Sequence, residues 1–279
     1  APSYAKASTL RSLGGVRQQF SIRENIEIGL FGVEFVKSAS QYLKVDNDHL
    51  DLSWRELGYL FLASSEGERI LVENQELQSQ CGAKIDILDP ENLKSKFPWL
   101  NIDGITLGSF GYEGEGWLDP SMFLNAFRAK ARSLGANYLY NEVTEIIKHK
   151  QKISSVILDN GVQIDCSFLV NAAGAWAGTV AELAEIQLPV VPKKRIIYGV
   201  DCREKLYPKL PLVIDSSGVF IRSEGTGFVC GVSPPGHLDP DSWNDMEVDH
   251  SLFDEIIWPA IAHRIPAFEA VKVTNAWAG

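Results

Sequence analysis

The chain has 279 residues and a formal net charge of −10, and it shows no stripe of lysine or arginine that would neutralise phosphates, which argues against a nucleic-acid partner. Its hydrophobic content of 45% and charged content of 22% are those of an ordinary globular protein, with enough chain for one large domain or two smaller ones. No uninterrupted apolar run reaches the roughly 18 residues that a membrane span needs.

The cysteines and histidines have no metal-ligand spacing, so we expect no metal site. Scattered cysteines favour buried free thiols in a reducing compartment over disulfides. The N-terminus is typical of neither a signal peptide nor a transit peptide. Because the chain begins with Ala1 rather than methionine, we expect that a leading part has been removed.

The first distinctive segment, residues 8–16, reads Ser-Thr-Leu-Arg-Ser-Leu-Gly-Gly-Val. Short hydroxyl residues followed by a glycine pair can surround a phosphate with backbone N–H groups. A Gly-Gly turn without a ligand is the alternative, and the sequence leaves it open.

Hydrophobic spacing predicts the elements that follow. Apolar residues three and four apart predict a helix over 24–43, capped by Ser21 or Asn25. The pattern then predicts a strand over 57–63, a helix over 66–81 stopped by Gly82, a strand over 85–88, and a helical turn between Asp89-Pro90 and Phe97-Pro98.

Residues 108–116 are rich in glycine, but they do not form a phosphate-binding loop. Their glycines have the wrong order for Gly-x-Gly-x-x-Gly, and Glu113 and Glu115 would repel a phosphate. We therefore predict a strand and a turn. A helix follows, with Asp119 as its N-cap and Pro120 in its first position, and it runs to about residue 134.

The second half of the chain is rich in predicted strands. The turn Asp159-Asn160-Gly161 is a strong hairpin signal, and it lies inside a three-stranded meander. The predicted strands cover 143–147, 153–158, 162–165, 168–171, 195–200, 212–214, 219–222, 228–232 and 270–277, with a short helix over 249–263.

Residues 168–178 read Phe-Leu-Val-Asn-Ala-Ala-Gly-Ala-Trp-Ala-Gly and form the most informative run. A buried strand over 168–171 would lead through small residues into a helix over 176–183. Small residues let a ligand approach bare backbone, and a helix N-terminus favours an anionic group such as a diphosphate. A small-residue turn that serves packing alone is the alternative.

Both small-residue segments resemble those of the D-amino-acid oxidase and sarcosine oxidase superfamily of FAD-dependent oxidoreductases. Further strings match this family in order, such as Gly-Trp-Leu-Asp-Pro at 116–120 and Arg-Ile-Pro-Ala-Phe-Glu at 264–269. The resemblance implies a mixed α/β fold, in which a Rossmann-type FAD-binding domain (1–50 and 135–185) is interleaved with a mixed-sheet substrate domain (51–134 and 186–279). The family's Gly-x-Gly-x-x-Gly motif does not occur, so we expect a fragment that is incomplete at both ends and inactive alone.

The resemblance also implies the cofactor and the residues that hold it. The cofactor is FAD, bound non-covalently because the segment 8–16 lacks the histidine that bonds to FAD in some relatives. Val143 corresponds to a residue whose backbone pairs with adenine, although a plain core role is equally open. The implied FAD-binding residues are Ser8, Thr9, Arg11, Ser12, Gly14, Gly15, Val143, Ala172, Ala173, Gly174 and Trp176.

In such a family a C–H bond next to nitrogen delivers hydride to the flavin, and the substrate, an amine or an N-methyl amino acid, usually bears a carboxylate. Arg222 stands where glycine oxidase-like relatives have a carboxylate-binding arginine, and Tyr198 is a second candidate for the pocket. A solvent-exposed arginine and a core tyrosine are the alternatives. No catalytic residue is identified by the sequence.

Within the superfamily, the chain most resembles a mitochondrial branch linked to assembly of respiratory complex I. This resemblance implies a location in the matrix or at the inner membrane, and complex I subunits or assembly factors as partners. It also leaves open a flavin-binding scaffold protein whose catalysis is vestigial.

Overall fold

The computed structural model describes residues 4–46, 49–204, 209–234, 236, 239, 241–243 and 245–279. The helices are α1 (Ser8–Arg11), α2 (Arg23–Lys37), α3 (Ala39–Leu43), α4 (Glu68–Gln80), α5 (Pro90–Lys96), α6 (Pro120–Ser133), α7 (Ala177–Glu182) and α8 (Trp258–Arg264). None of the described helices has both the length and the apolar character of a membrane-spanning segment.

The strands mostly begin and end near the residues that the sequence predicts. They are β1 (Gly15–Val16), β2 (Tyr59–Ala63), β3 (Lys84–Leu88), β4 (Leu107–Glu113), β5 (Gly116–Trp117), β6 (Val143–His149), β7 (Lys152–Leu158), β8 (Gln163–Asp165), β9 (Ile196–Cys202), β10 (Leu212–Ile214), β11 (Val219–Glu224), β12 (Gly227–Val232) and β13 (Val271–Ala278). The mixture of helices with a mixed sheet confirms the predicted fold class.

A large sheet of eight described strands organises the molecule, in the order β13-β9-β12-β11-β10-β2-β4-β3. Its pairs are antiparallel except β10 with β2, which run parallel. One face carries the main core, where residues such as Leu60, Val213 and Ile221 pack with Ile257 and Phe268 from the segments around α8. Because side chains alternate along a strand, the intervening residues point to the opposite face, which bears the candidate site.

The predicted meander is confirmed as a separate three-stranded sheet, β6-β7-β8, with Gly161 in the left-handed region at its hairpin turn. It packs with α7 in a cluster of its own that includes Ile146, Val156 and Ala184. Two further strands, β1 and β5, form a short antiparallel ladder. This ladder joins the hydroxyl-glycine segment to the turn that follows β4.

The buried strand predicted over 168–171 is wrong. Phe168 is 90% exposed and Val170 is 84% exposed, and neither lies in a strand. Apolar spacing favours a strand, but an extended backbone becomes one only when a neighbouring strand pairs with it. None of the described strands lies beside this segment.

The helix predicted over 24–43 is broken at Ser38, between α2 and α3. Ser38 has a φ of −103° and a ψ of 11°, outside the helical range, while its N–H and its hydroxyl both donate to the Glu34 carbonyl, at 3.0 and 2.7 Å. Neither predicted cap is used, since the N-cap is Ile22 and it makes no side-chain bond. By contrast, the Asp119 cap is confirmed, because its carboxylate accepts the N–H groups at the start of α6 at 2.7 and 3.0 Å.

Candidate cofactor and substrate site

The hydroxyl residues of the segment 8–16 lie at the surface. Ser8, Thr9 and Ser12 are all exposed, and α1 is a single helical turn. The Ser12 hydroxyl donates to the Thr9 carbonyl at 3.0 Å and accepts the Gly14 N–H at 3.3 Å. The segment is therefore folded back on itself, with its hydroxyl side open to a ligand.

The glycine pair is required by packing against neighbouring elements. Gly14 adopts a φ of 64°, and a Cβ there would lie 2.1 Å from the Leu118 carbonyl oxygen. A Cβ at Gly15 would lie 2.2 Å from the Tyr59 hydroxyl. The alternative explanation of the Gly-Gly pair thus has a physical basis, because these contacts demand glycine with or without a ligand.

Arg11 ties this segment to the last strand. Its guanidinium donates to the carbonyls of Ala5 and Ala278, and the indole N–H of Trp277 donates to the Arg11 carbonyl at 3.0 Å. These contacts fix the beginning of the chain to the end of β13.

In the small-residue bend at residues 172–174, which precedes α7, glycine is favoured by the backbone conformation rather than by packing. Gly174 has a φ of 58°, yet a Cβ there would meet no atom within 4 Å. The backbone conformation therefore favours glycine, and the space beside it is open. Asn171, which sequence reasoning did not single out, braces the bend: its side chain accepts the Ala173 N–H at 3.2 Å and donates to the Ala177 carbonyl at 2.8 Å.

A dinucleotide that contacts both segments needs them close together, and they are. Ser8 from the first segment and Ala175 and Trp176 from the bend line one narrow cleft of about 40 Å³, which Gly279 also borders. Val143 lies elsewhere, at the start of β6 opposite Leu158, and its side chain packs in the cluster of the meander.

A larger cavity, of about 470 Å³, lies between the segment 8–16, the β5–α6 connection and the end of β11. Arg222 lines it with a side chain that is only 3% exposed. Its guanidinium carbon lies 4.2 Å from the centroid of the Trp117 ring, and its Nη2 donates to the Leu13 carbonyl at 3.0 Å. Arg222 is therefore not a solvent-exposed arginine at a strand end.

The guanidinium of Arg222 is only partly used by the protein. Nη1 pairs with the Glu224 carboxylate at 2.7 Å, whereas Nε is buried and has no partner among the described residues. Burial lowers the pKa of Arg222, and the negative charge of Glu224 opposes that shift. A buried arginine with an unused donor beside a cavity can bind an anionic ligand.

The prediction that Tyr198 lines the ligand pocket is corrected by the sheet register. Tyr198 pairs with Cys230, which pairs with Ile221, so these three side chains share the core face. Arg222 follows Ile221 and points to the other face. Tyr198 is fully buried, and its hydroxyl donates to the Asp249 carbonyl.

A second, more open cavity of about 660 Å³ lies on the site face, and sequence reasoning did not identify its polar residues. Arg17 and Tyr59 line it. The Arg17 guanidinium carbon lies 4.5 Å from the Phe20 ring centroid. Burial, together with the nearby Glu115 carboxylate, raises the pKa of Tyr59 to about 12, so that its hydroxyl stays protonated.

Glu115 anchors the wall of this second cavity. Its side chain is fully buried, and it accepts the backbone N–H groups of Gln18 at 2.6 Å and Gln19 at 3.0 Å. Burial raises the pKa of Glu115, and these hydrogen bonds act against that shift. The glycine-rich run at 108–116 is thus the predicted strand and turn, with an internal anchor rather than a phosphate loop.

Comparison with known proteins decides the family. The sequence model of the family described as DAO, FAD dependent oxidoreductase, matches residues 1–279. The chain is 43% identical over 310 residues to the FAD-dependent oxidoreductase domain-containing protein 1 of Xenopus laevis, covering 100% of this chain and 62% of the relative. This chain belongs to the FAD-dependent oxidoreductase family.

More distant family members agree in sequence and in fold. The mitochondrial sarcosine dehydrogenase of Mus musculus is 26% identical over 251 residues, covering 82% of this chain and 26% of that protein. The crystal structure of L-proline dehydrogenase from P.horikoshii superposes with a TM-score of 0.83 at 26% identity, covering 97% of this chain and 70% of that one. This chain therefore spans only part of the length of each of these family members.

The residues present fit the family's cofactor. A flat, anionic dinucleotide needs open backbone at small residues, and Gly174 offers that without a neighbouring side chain. It also needs the two segments to be neighbours, and Ser8 and Trp176 border the same cleft, which at about 40 Å³ holds only a small part of a dinucleotide. The family match thus agrees with the geometry of these two segments.

Proposed function

We propose that this chain forms part of an FAD-dependent oxidoreductase that oxidises a small amine or N-methyl amino acid bearing a carboxylate. The observation that carries the proposal is the buried Arg222, which lies in a cavity bordered by the hydroxyl-glycine segment. A guanidinium that lines a cavity, next to a segment that suits the cofactor, is suited to bind the carboxylate of such a substrate. Relatives named as sarcosine and dimethylglycine dehydrogenases support this substrate class.

The cofactor is held by the two converging segments. Exposed hydroxyls and bare backbone at Ser8, Thr9, Ser12, Gly14 and Gly15, together with the bend Ala172–Gly174 and Trp176, would contact the dinucleotide. Arg11 would lie next to it, and the backbone of Val143 would contact the adenine. No histidine or cysteine occurs in residues 8–16, so the cofactor is non-covalent there. FAD, when bound, accepts a hydride from the substrate carbon next to nitrogen.

The chain's own residues orient the substrate and exclude water. Arg222 binds the substrate carboxylate. The Trp117 ring, whose centroid lies 4.2 Å from the guanidinium carbon, stabilises the guanidinium by a cation–π contact. Trp117 and Leu118 are both buried and line the cavity, so they narrow the access of water to the bound amine. With the carboxylate fixed at one end, the carbon that carries the nitrogen is held in one position.

Cofactor binding and substrate binding belong to two different discontinuous domains. Residues 1–50 and 135–185 bind the cofactor, and residues 51–134 and 186–279 bind the substrate. The separate hydrophobic cluster of the meander supports this division, whereas two other clusters cross the boundary at residue 50, since Val36 packs with Leu118 and Ile26 packs with Ile85. Limited proteolysis that releases fragments at residues 50, 135 and 185 would support it, whereas cleavage within the large sheet would contradict it.

The test is anaerobic mixing of the FAD-loaded full-length protein, of which this chain forms part, with sarcosine or dimethylglycine, followed by absorbance. We expect the oxidised flavin band to bleach. We also expect Arg222→Lys to raise the sarcosine concentration that gives half-maximal bleaching by at least about tenfold, because a lysine cannot bind a carboxylate bidentately. A flavin that stays oxidised with every N-methyl amino acid would contradict oxidation and favour a flavin-binding scaffold.

We also propose a mitochondrial location, which the names of the mitochondrial sarcosine and dimethylglycine dehydrogenases among its relatives support. A link to assembly of respiratory complex I is a prediction from the branch resemblance. Fractionation of cells tests the location. Co-purification of complex I subunits or assembly factors with the tagged protein tests the link, and their absence from the purified material would contradict it.

A further inference from the structure

The carboxylate-binding arginine already holds a carboxylate of its own chain. Arg222 and Glu224 are two residues apart on β11, so both side chains lie on the site face. Nη1 of Arg222 lies 2.7 Å from Glu224 Oε2. The Arg222 side chain is 3% exposed and that of Glu224 is 51% exposed, so the glutamate lies at the mouth of the cavity and the arginine lies beneath it.

The position of Arg222 does not depend on this ion pair. The Trp117 ring lies under its guanidinium, and the Leu13 carbonyl accepts a hydrogen bond from Nη2 at 3.0 Å. The Glu224 side chain, in contrast, has no other hydrogen-bond partner among the described residues, and Glu224 precedes the turn at Gly225, whose φ is 57°. The glutamate can therefore swing away while the arginine stays in place.

A second buried arginine, Arg264, forms an ion pair with a structural role, and it can be compared with the pair of Arg222 and Glu224. Arg264 pairs with Asp215 at 2.6 Å, and their side chains are only 6% and 11% exposed. Nη1 of Arg264 also donates to the carbonyls of Asn101 and Asp103, and its Nε donates to Asp215, so that Nε is bonded. The pair of Arg222 with Glu224 differs in both respects, because the acid is exposed and the arginine keeps an unused Nε.

We propose that Glu224 is a built-in competitor for the carboxylate site and thereby a specificity-determining residue. This inference rests on the proposed role of Arg222. Without a ligand, the Glu224 carboxylate pairs with the Arg222 guanidinium. A ligand binds when the carboxylate of the ligand displaces that of Glu224. Arg55 and Lys209 line the same cavity, so the displaced carboxylate stays near positive charge. A ligand without a carboxylate leaves Glu224 in place and gains nothing from Arg222.

Anaerobic calorimetric titration of the FAD-loaded full-length protein, with the flavin reduced beforehand so that sarcosine binds without being oxidised, tests this inference. The two ligands compared are sarcosine and sarcosinamide, in which an uncharged amide replaces the carboxylate. An ion pair whose acid is half exposed contributes up to about 1 kcal/mol, so removing the competitor in Glu224→Gln tightens sarcosine binding by about three- to fivefold. The affinity for sarcosinamide stays unchanged, which a general change of the cavity would not produce. Glu113→Gln is the matched control, since it removes the same charge from an exposed residue outside the cavity and leaves both affinities unaltered.

The possible failures are distinct. If Arg222→Lys weakens sarcosine binding but Glu224→Gln leaves it the same or weakens it, the inference is overturned and the proposed function stands. If Glu224→Gln fails to fold, the inference is also overturned, because a displaceable carboxylate cannot be required for the fold. If Arg222→Lys leaves sarcosine binding unchanged, or the wild-type protein binds no sarcosine, the proposed function itself fails.

Discussion

Two glycines of α2 give the sharpest test of how the wall of the second cavity is packed. A Cβ at Gly29 would lie 2.2 Å from the Arg17 carbonyl oxygen, whereas a Cβ at Gly32 would meet only the Val16 methyl at 3.8 Å. Both positions lie in the interior of the same helix, so Gly→Ala gains the same helix propensity, about 1 kcal/mol. Any difference between the two variants therefore measures the clash at Gly29.

The structure indicates how large that difference is. Ordinary contact begins at 3.4 Å, so Gly29→Ala requires about 1.2 Å of displacement between α2 and the Arg17 carbonyl. That carbonyl cannot yield easily, because the N–H of the same peptide, on Gln18, is bonded to the buried Glu115 at 2.6 Å. Overpacking costs about 2–3 kcal/mol here, which leaves Gly29→Ala less stable than wild type by about 1–2 kcal/mol. Gly32→Ala should be more stable than wild type by about 0.5–1 kcal/mol.

The assay is urea unfolding followed by tryptophan fluorescence, with the midpoints compared at equal slopes. We expect the midpoint to fall for Gly29→Ala and to rise for Gly32→Ala. If Gly29→Ala unfolds at the same urea concentration as Gly32→Ala, the helix is not held against the Arg17 carbonyl and the packing argument is refuted.

Two further predictions concern the cap of α6 and the structural ion pair. Asp119→Ala should lower the free energy of unfolding by about 1 kcal/mol, because two N–H groups lose their acceptor; an unchanged urea midpoint would contradict this. Burial alone raises the pKa of Asp215, but hydrogen bonds from Ser217 and the charge of Arg264 lower it overall. The carboxylate therefore stabilises the fold above its unfolded pKa of about 3.8, and this contribution is lost as pH falls through the lower folded value. Asp215→Asn should cost about 3–5 kcal/mol at pH 7 and much less near pH 2, and an equal loss at both pH values in urea unfolding would contradict the assignment.

Elements that depend on neighbouring residues are the ones that the sequence predicts well. The Asp119-Pro120 start of α6 and the Asp159–Gly161 hairpin turn appear as expected, because capping and turn geometry are fixed within a few residues. The predicted helix over 24–43 fails only at Ser38, whose φ of −103° and ψ of 11° lie outside the helical range. The strand predicted at 168–171 fails because a strand needs a partner, and local spacing does not say whether one is present.

The site shows the same division between local and long-range information. Small residues at 172–174 and the hydroxyl-glycine segment are visible in the sequence, since open backbone and left-handed conformations need particular residue types. Glu115 carried no recognisable signal, because its partners, the N–H groups of Gln18 and Gln19, lie almost a hundred residues away. Glu224 likewise has no motif that marks it as a partner of a buried arginine.

By itself, the sequence determined the family, the mixed α/β class and the two segments that suit a dinucleotide. Only the tertiary structure shows that Arg222 lines a cavity whereas Tyr198 lies in the core. Both residues lie on strands with alternating faces, but which face borders the cavity depends on how β9, β12 and β11 pair. That register is set by contacts between distant parts of the chain, which residue spacing along one strand cannot encode.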